Sequence, residues 1–348
     1  MTFEEFVTSA RERKASDIHM TVDTPTVFRI NGDLTEIEGL SDIPVNNRLI
    51  LSLLNADQEE NLNAGNDVEF VIELSDGNRQ RVNVYRQMGR LACAIRLLNS
   101  VIPTLEELNL PPILNELATK KSGLVLVTGT SGSGKTTTLS IILNHINQHR
   151  PCHIITLEDP VEYRYEPKTA TIHQREIGRD VKDFQTALKH TLREDPDVIL
   201  VGEMRDYETM QLTITAAETG HFVLATLHTR GAIHTVNRIV DACPPNIQHQ
   251  ILVQLSQILE AIISQQLLPL KNGKGRVAAL EVMIGNDAVK NMIRSNKCHQ
   301  LETALQQGKS AGMCTMDDAI IDLYRQDLIS RETAMSFAYD RLNMATKF

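Results

Sequence analysis

Residues 129–137 form the motif in this chain whose residue types and spacing indicate a chemical function most specifically. They read GTSGSGKTT and fit the pattern G-x-x-x-x-G-K-[ST]. Glycines let the backbone curl until successive N–H groups point inward, which forms an anion-binding nest at a helix N-terminus. We expect Lys135 to reach the β- and γ-phosphates of ATP and the Thr136 hydroxyl to bind Mg²⁺. The candidate ATP-binding residues are Gly129, Thr130, Ser131, Gly132, Ser133, Gly134, Lys135, Thr136 and Thr137.

The flanking sequence supports this interpretation. The apolar run 124–127 predicts a strand before the loop. After the loop, apolar residues recur at the i, i+3, i+4 and i+7 positions of one helical face. They are Leu139, Ile142, Leu143 and Ile146. A strand before the pattern and a helix after it is the context in which it binds phosphate, so a chance glycine-rich turn is a poor explanation.

A second strand end supplies a candidate metal-organising acid, Glu203. It follows the unalternated apolar run 198–201, which suits a strand buried on both faces. The carboxyl ends of parallel strands are where such sheets bind ligands. We therefore expect Glu203 to help hold Mg²⁺ beside the phosphates.

Three further acids, Glu158, Asp159 and Glu162, follow a predicted strand at 153–157. A carboxylate that takes a proton from water beside a γ-phosphate has to come from such a strand end. Glu158 and Glu162 both qualify by position, and the residues alone leave the choice open. In sequence this strand lies between the strand before the phosphate loop and the strand before Glu203. That order fits the additional-strand class of P-loop ATPases, in which an inserted strand separates those two.

Two histidines, His221 and His228, flank a predicted strand at 222–227. Zinc is a poor explanation, because the spacing is not H-E-x-x-H and no cysteine or third histidine is near. The pair could instead sense phosphate. We favour that role for His228 and leave it open for His221.

The remaining pattern predicts an α/β fold. Before residue 100 it indicates a helix around 3–10 and strands at 26–30, 68–72, 81–85 and 92–97. After residue 122 strands and helices alternate, which predicts a parallel sheet with helices on both faces. One helix is expected to run through Val181, Leu188 and Leu192, and another from Tyr207 to a C′ glycine at Gly220.

Composition limits the function classes. The net charge of −9 argues against a nucleic-acid coat, because phosphate backbones are bound by basic surfaces. The five cysteines form no C-x-x-C pair and suit a reducing compartment. The N-terminus lacks the apolar core of a signal peptide, and no apolar run approaches the roughly 20 residues of a membrane-spanning helix. We expect a cytoplasmic protein with no transmembrane segment and no nucleic-acid partner.

Several motifs resemble those of the PilT family of type IV pilus twitching-motility ATPases, within the type II/IV secretion ATPase superfamily. They begin at ASDIHM, 15–20, and FRINGDL, 28–34, and include the Walker A loop. Three further motifs complete the set. They are the acidic box TLEDPVEY at 156–163, the segment REDPDVILVGEMRD at 193–206, with Glu203 at the Walker B position, and the histidine box TAAETGHFVLATLHT at 215–229.

The resemblance implies three segments. A PAS-like N-terminal α/β domain would occupy 1–100, and a linker 101–115. A RecA-like P-loop ATPase motor domain with a mostly parallel sheet and a C-terminal helical region would occupy 116–348. The resemblance also implies a homo-hexamer, and it favours Glu162 over Glu158 as the residue that activates water. It suggests that Arg81 and Arg96 reach the nucleotide.

The implied function is pilus retraction by ATP-driven pilus disassembly, at the cytoplasmic face of the inner membrane on a pilus platform protein. One segment departs from the family. Where relatives carry a sequence close to AIRNLIRE, tied to retraction, residues 288–295 read AVKNMIRS. The apolar stripe in this segment is either a docking surface or core packing of a helix.

Two other functions stay open. One is a pilus assembly or type II secretion ATPase of the same superfamily, although those typically carry an extra N-terminal domain and often a zinc-binding C-x-x-C pair. The other is a nucleotide-regulated accessory scaffold, against which the intact pair Glu162 and Glu203 argues.

Overall fold

The computed structural model describes residues 2–37, 39, 45–98 and 101–348. These residues divide into two compact units, Met1–Val101 and Ile102–Phe348. In the described part of the chain, no helix has the length and apolar character needed to cross a membrane.

The first unit is built on a six-stranded antiparallel sheet with the strand order β3-β2-β1-β6-β5-β4. Its elements are α1 (Phe3–Glu12), β1 (Ala15–Thr21), β2 (Val27–Ile30), β3 (Asp33–Glu36), α2 (Asn47–Leu51), α3 (Ala56–Asn63), β4 (Val68–Glu73), β5 (Arg79–Gln87) and β6 (Arg90–Leu97).

The first helix shows why this sequence folds locally as it does. Thr2 and Glu5 form a capping box that satisfies backbone donors at the start of α1. Phe6, Val7 and Ala10 then lie on one face and are fully buried in the core of the unit. The predicted helix and the four predicted strands of this region are confirmed to within a few residues. The structure adds β1, β3, α2 and α3, which the sequence pattern did not predict.

The second unit contains a seven-stranded sheet with the order β13-β12-β7-β11-β10-β8-β9. All neighbouring pairs are parallel except the hairpin β12–β13. The strands are β7 (Gly123–Thr128), β8 (His153–Glu158), β9 (Thr171–Glu176), β10 (Val198–Val201), β11 (Phe222–Leu227), β12 (Leu259–Pro269) and β13 (Arg276–Ile284). The helices are α4 (Ile113–Ala118), α5 (Lys135–His149), α6 (Phe184–Thr191), α7 (Tyr207–Glu218), α8 (Ala232–Asp241), α9 (Gln248–Ile258), α10 (Asp287–Arg294), α11 (Leu301–Gln307), α12 (Met316–Arg325), α13 (Arg331–Phe337) and α14 (Arg341–Ala345).

Both faces of this sheet are buried, which explains the unalternated apolar runs. Leu124 and Leu126 of β7 pack into one core, whereas Val125 and Val127 pack into another on the opposite face. The first core is covered by α6 to α9 and the second by α4 and α5. The predicted α/β class with a mostly parallel sheet is confirmed.

The order of the strands corrects one expectation. The strand that separates β7 from β10 is β11, which follows both in sequence, and not β8. β8 instead lies on the outer side of β10, paired in register with it from Val198↔Ile154 to Val201↔Leu157. The inserted strand between β7 and β10 is therefore β11, whereas the acidic box lies at the end of β8.

Two helix boundaries refine the sequence expectations. α6 begins at Phe184 because Asp183 caps it, accepting a hydrogen bond of 2.7 Å from the Thr186 N–H. Val181 precedes this helix. Gly220 follows α7 with φ of +100°, as expected for a C′ glycine.

Most of the segment 101–115, expected to be a linker, packs within the second unit. Leu105 and Leu110 are buried in the core beneath α5, and α4 begins at Ile113. The segment therefore contributes apolar surface to the same core as the helix that follows the phosphate loop.

The segment 288–295 forms most of α10 and the residue after it. Val289 and Ile293 are fully buried in the core, so the apolar stripe of this segment is core packing and not an exposed docking surface. Lys290 lies 3.3 Å from the Glu260 carboxylate, whereas Arg294 is exposed and hydrogen-bonds Asn291.

A buried carboxylate joins the sheet to the C-terminal helices. Glu281 of β13 accepts hydrogen bonds from the Ala232 N–H, at 2.7 Å, and from the Met316 N–H, at 3.3 Å. These donors belong to the first residues of α8 and α12, where backbone N–H groups lack intrahelical partners and favour negative charge. Burial nevertheless raises the pKa of Glu281 above its ordinary value.

Candidate active site

The phosphate loop lies between the end of β7 and the start of α5. Gly129, Gly132 and Gly134 have φ of +145°, +75° and +87°, a region that favours glycine. Close packing imposes a second constraint at two of them. A Cβ on Gly129 would lie 2.4 Å from the Gln265 carbonyl oxygen, and one on Gly134 would lie 2.7 Å from Gln265 Nε2. The glycines thus give the loop its curl and bring it against β12.

Lys135 is buried at the start of α5. Its ammonium donates to the carbonyl oxygens of Gly129, at 2.9 Å, and Thr130, at 3.1 Å. Burial lowers the pKa of Lys135, and the carboxylates of Glu203 and Glu162 oppose that shift. The cation of the loop therefore lies in the field of both acids.

Glu203 lies between two side chains that come from the same edge of the sheet. One carboxylate oxygen is 3.1 Å from His228 Nε2, and the other accepts a 2.8 Å hydrogen bond from Arg205 Nε. Burial, then the positive charges of Lys135 and Arg205, lower the pKa of His228 below its ordinary 6.5, against the effect of Glu203. The lowered pKa favours the neutral imidazole, whose Nε2 lies within hydrogen-bond distance of Glu203.

The acids of the acidic box differ sharply in environment. Glu158 is buried and accepts hydrogen bonds from Thr156 Oγ1, at 2.6 Å, and Gln174 Nε2, at 3.3 Å. Burial raises the pKa of Glu158 to about 7, against those hydrogen bonds. Glu162 is half-buried, and Asp159 is exposed. Glu162 is the acid of this box that influences the Lys135 ammonium.

The loop that carries Glu162 is held by side chains of β9. The Glu176 carboxylate accepts from the Val161 N–H at 3.1 Å. Gln174 donates to the Tyr163 carbonyl at 2.8 Å and accepts from the Tyr165 N–H at 3.0 Å. On the other side, the hydroxyls of Tyr163 and Thr137 lie 3.0 Å apart, which connects this loop to α5.

The two histidines lie at opposite ends of β11. His228 follows the carboxyl end, beside Glu203, whereas His221 precedes the amino end. His221 Nδ1 lies 2.9 Å from the Ala216 carbonyl and 3.1 Å from Thr219 Oγ1. The structure therefore does not bring His221 to the phosphate loop, and its contacts stabilise the turn after α7.

Arg81 and Arg96 lie in the first unit, as directly opposed partners on β5 and β6. Arg81 pairs with Glu69 of β4, and Arg96 Nε lies 3.0 Å from Asp17 of β1. Arg96 is the more exposed of the two, with 61% of its side chain accessible against 33% for Arg81. As directly opposed residues, the two arginines lie on the same face of this sheet.

Sequence reasoning missed two glutamines that contact the loops of the site, Gln174 and Gln265. Gln265 donates from Nε2 to the Ser133 carbonyl at 2.8 Å and accepts from Thr138 Oγ1 at 2.6 Å. A signal for Gln265 was present in the sequence, because Ser264, Gln265 and Gln266 interrupt an otherwise apolar run in 261–268. Gln174 lies in a polar segment with no such signal.

The donor set fits a nucleotide with Mg²⁺. Loop N–H groups and Lys135 suit phosphate oxygens, and Mg²⁺ binds through one or two carboxylates together with substrate phosphates. The Thr136 hydroxyl and the Glu203 carboxylate are ligands of that kind. Among the described residues, no group of three or more His, Cys, Asp or Glu side chains could hold a metal ion by itself.

Known proteins resemble this chain over almost its whole length. The model of the type II/IV secretion system protein family matches residues 1–342. A twitching motility protein of Neisseria gonorrhoeae is 43% identical over 340 residues, which cover 97% of this chain and 90% of that protein. The type IV pilus retraction ATPase PilT of Pseudomonas aeruginosa is 41% identical over 336 residues, covering 96% and 97%. A crystal structure of the pilus retraction motor PilT with bound ADP matches with a TM-score of 0.90, at 42% identity, over 99% of both chains.

The raised pKa of Glu158 predicts a pH-dependent component of stability. The pKa is about 7 in the folded chain against an ordinary value of 4.5, so between these values the folded chain binds more protons than the unfolded chain. Stability from this group is complete below pH 4.5 and is lost as pH rises through 7, at up to about 1.4 kcal/mol per pH unit. Because glutamine does not titrate, the melting temperature of Glu158→Gln should rise relative to wild type across this window.

Thermal unfolding of both proteins at a series of pH values measures this difference. Asp159→Asn, at the exposed neighbouring position, is the matched control and should follow the wild-type pH dependence. Parallel curves for wild type and Glu158→Gln would contradict the raised pKa of Glu158.

Proposed function

We propose that this chain, which belongs to the type II/IV secretion system protein family, is an ATP-hydrolysing motor that powers type IV pilus retraction. The observation that carries the enzymatic part is that the carboxylates of Glu203 and Glu162 both act electrostatically on the Lys135 ammonium of the phosphate loop. Similarity over nearly the full length to a twitching motility protein and a pilus retraction ATPase supports the biological part.

The phosphate loop binds the nucleotide. Its N–H groups and the N-terminus of α5 stabilise the phosphate charges, and Lys135 neutralises the β- and γ-phosphates. Thr136 and Glu203 hold Mg²⁺, which neutralises charge on the phosphates when bound. His228 contacts Glu203 directly, so it is placed to respond to changes at the γ-phosphate.

Glu162 is the base that activates water. Its half-buried carboxylate lies near the Lys135 ammonium, on the loop that follows β8. Glu158 is less accessible to a water molecule, because it is buried and its hydrogen bonds go to Thr156 and Gln174. Glu158 instead supports the loop on which Glu162 lies.

Substitution tests this assignment. Glu162→Gln keeps the shape and removes the base, so we expect ATP turnover to fall by about 10²-fold or more while nucleotide binding is kept. Lys135→Ala should abolish turnover by removing the cation that holds the phosphates. Phosphate release and nucleotide binding by the purified chain measure both effects.

Glu166→Gln is the matched control, since Glu166 is an exposed glutamate on the same loop, paired only at the surface with Lys168. It should keep wild-type turnover. A wild-type rate for Glu162→Gln would move the role of base to Glu158.

The active form is a homo-hexamer in which Arg81 and Arg96 complete the nucleotide site. A P-loop site is open on one side, and a charge from a neighbouring domain or subunit can complete it. The paired position of the two arginines on β5 and β6, with Arg96 largely exposed, supports this role.

Light scattering and turnover together test the assembly. We expect a hexamer, and for Arg96→Ala a loss of turnover of at least about tenfold, because an arginine supplied in trans contributes about 10³-fold or more. Arg90→Ala is the control, since Arg90 is an exposed arginine on the same strand, β6. A fully active monomer, or wild-type turnover in both the Arg81→Ala and Arg96→Ala variants, would defeat the assignment.

The motor works in the cytoplasm, at the cytoplasmic face of the inner membrane, on a platform protein of the pilus. The direction of the motor is not fixed by phosphate chemistry, because it depends on how the ring meets that platform. Val289 and Ile293 of α10 are buried and cannot contact the platform protein. The candidate contact residues of this helix are the exposed ones, such as Asn291 and Arg294.

Pilus counts in a deletion strain test the direction. If the chain drives retraction, cells lacking it should keep or accumulate surface pili and lose twitching or fibre withdrawal. Complementation with wild type should restore retraction, whereas Lys135→Ala should not. Bald cells would instead point to the alternative, an assembly or type II secretion motor. Normal retraction in cells expressing Lys135→Ala would favour an accessory scaffold.

A further inference from the structure

Gln265 connects the strand beside the phosphate loop to both ends of the loop's final turn. Its side chain is buried within β12, which pairs with β7. Nε2 donates to the Ser133 carbonyl at 2.8 Å, and Oε1 accepts from Thr138 Oγ1 at 2.6 Å. One amide thus binds the last peptide of the loop and the first turn of α5 simultaneously.

The bond to Ser133 fixes the direction of a phosphate-binding donor. In a trans peptide the C=O and N–H groups point to opposite sides of the chain. Because the Ser133 carbonyl points at Gln265, the N–H of Gly134 points away from β12. Gly134 adopts φ of +87° at the N-terminal end of α5, where free N–H groups bind anions.

The phosphate loop packs so closely against β12 that its two end glycines have no room for a side chain on that side. Added Cβ atoms on Gly129 and Gly134 would lie 2.4 Å and 2.7 Å from atoms of Gln265. Ser131 and Gly132, between these glycines, are exposed. The loop therefore packs closely against β12 at both ends, and the Gln265 side chain bonds its Ser133 end, while its middle faces solvent.

We infer that Gln265 is a positioning residue that sets the phosphate-binding conformation of the loop in advance, an inference that rests on the proposed ATPase function. Its hydrogen bonds go to Ser133 and Thr138 and not to the acids Glu162 and Glu203. Gln265 therefore controls nucleotide affinity, whereas the step in which water attacks depends on the acids. Fixing a loop before binding strengthens affinity by removing the entropy cost of ordering it.

The test is Gln265→Leu in the full-length chain, which keeps the approximate volume and removes both hydrogen bonds. We expect KM for ATP to rise about tenfold, and the Kd of ADP carrying a fluorescent ribose label to rise by the same factor. The value of kcat at saturating ATP should stay within about threefold of wild type, because the acids are untouched. Steady-state turnover and fluorescence titration give the two quantities.

Gln266→Leu is the matched control, because it is the same substitution on the opposite face of the same strand. It should keep wild-type KM and Kd. Thr138→Val removes one of the two bonds and should raise Kd by about threefold. If both changes act through one contact, the double variant Gln265→Leu/Thr138→Val should bind no more weakly than Gln265→Leu alone.

Three results would overturn the inference. The first is a lower kcat with unchanged KM and Kd in Gln265→Leu, because a smaller fraction of folded protein would give that result. The second is an equal loss of affinity in Gln266→Leu, and the third is full additivity of the two substitutions. If Gln265→Leu does not fold, Thr138→Val and Gln265→Glu, which keeps the acceptor for Thr138 but loses the donor to Ser133, decide the matter through Kd.

The titration also separates this inference from the proposed function. A wild-type chain that binds the labelled ADP but hydrolyses no ATP would refute the ATPase proposal while leaving the effect of Gln265→Leu on Kd measurable. Hydrolysis by wild type with an unchanged Kd in Gln265→Leu would refute the positioning role alone.

Discussion

Parallel pairing of β7, β11, β10 and β8 is the constraint on which the rest of the site depends. Parallel strands present their carboxyl ends at one edge, so the phosphate loop, His228, Glu203 and Glu158 follow four adjacent strands to the same place. The register fixes their heights, with Thr128 opposite Leu227 and Val201 opposite both Ala225 and Leu157. Side-chain packing in the two cores holds that register, because a slip by one residue would exchange the side chains that fill each core.

Differences in environment give one residue type several roles at this edge. Burial raises the pKa of Glu158, and its hydrogen bonds with Thr156 and Gln174 make it a support for the loop. Two donors fix both oxygens of Glu203, and the half-buried Glu162 lies in the field of Lys135. Desolvation favours the neutral form of a carboxylic acid, and a neighbouring cation favours the charged form. The fold therefore sorts three glutamates by solvent access and charge, although their sequence contexts are alike.

Sequence patterns predicted the local features of this molecule better than the long-range ones. The phosphate loop and the buried strands 198–201 and 222–227 have strong local signals, and the structure has both strands at those bounds. An inserted strand between β7 and β10 was predicted correctly, but its identity as β8 was wrong, because pairing in a parallel sheet depends on crossovers that leave no local pattern. β9 was missed because its residues, TIHQRE, are mostly polar and lie at the sheet edge. The site of His221 could have been deduced, since residues bracketing one parallel strand must lie at opposite edges. Gln265 contacts a loop residue 132 positions away, a separation that no periodicity spans.

The double contact of Glu281 has a consequence for how this chain can be divided. Its carboxylate accepts hydrogen bonds from the start of α8, shortly after His228, and from the start of α12 in the C-terminal region. A fragment that ends before Met316 would leave that buried oxygen without its protein donor, at a cost typical of unsatisfied buried groups. Minimal versions of the motor domain should therefore retain the C-terminal helices, and a fusion partner or circular permutation is better placed at an exposed turn such as 271–275 between β12 and β13.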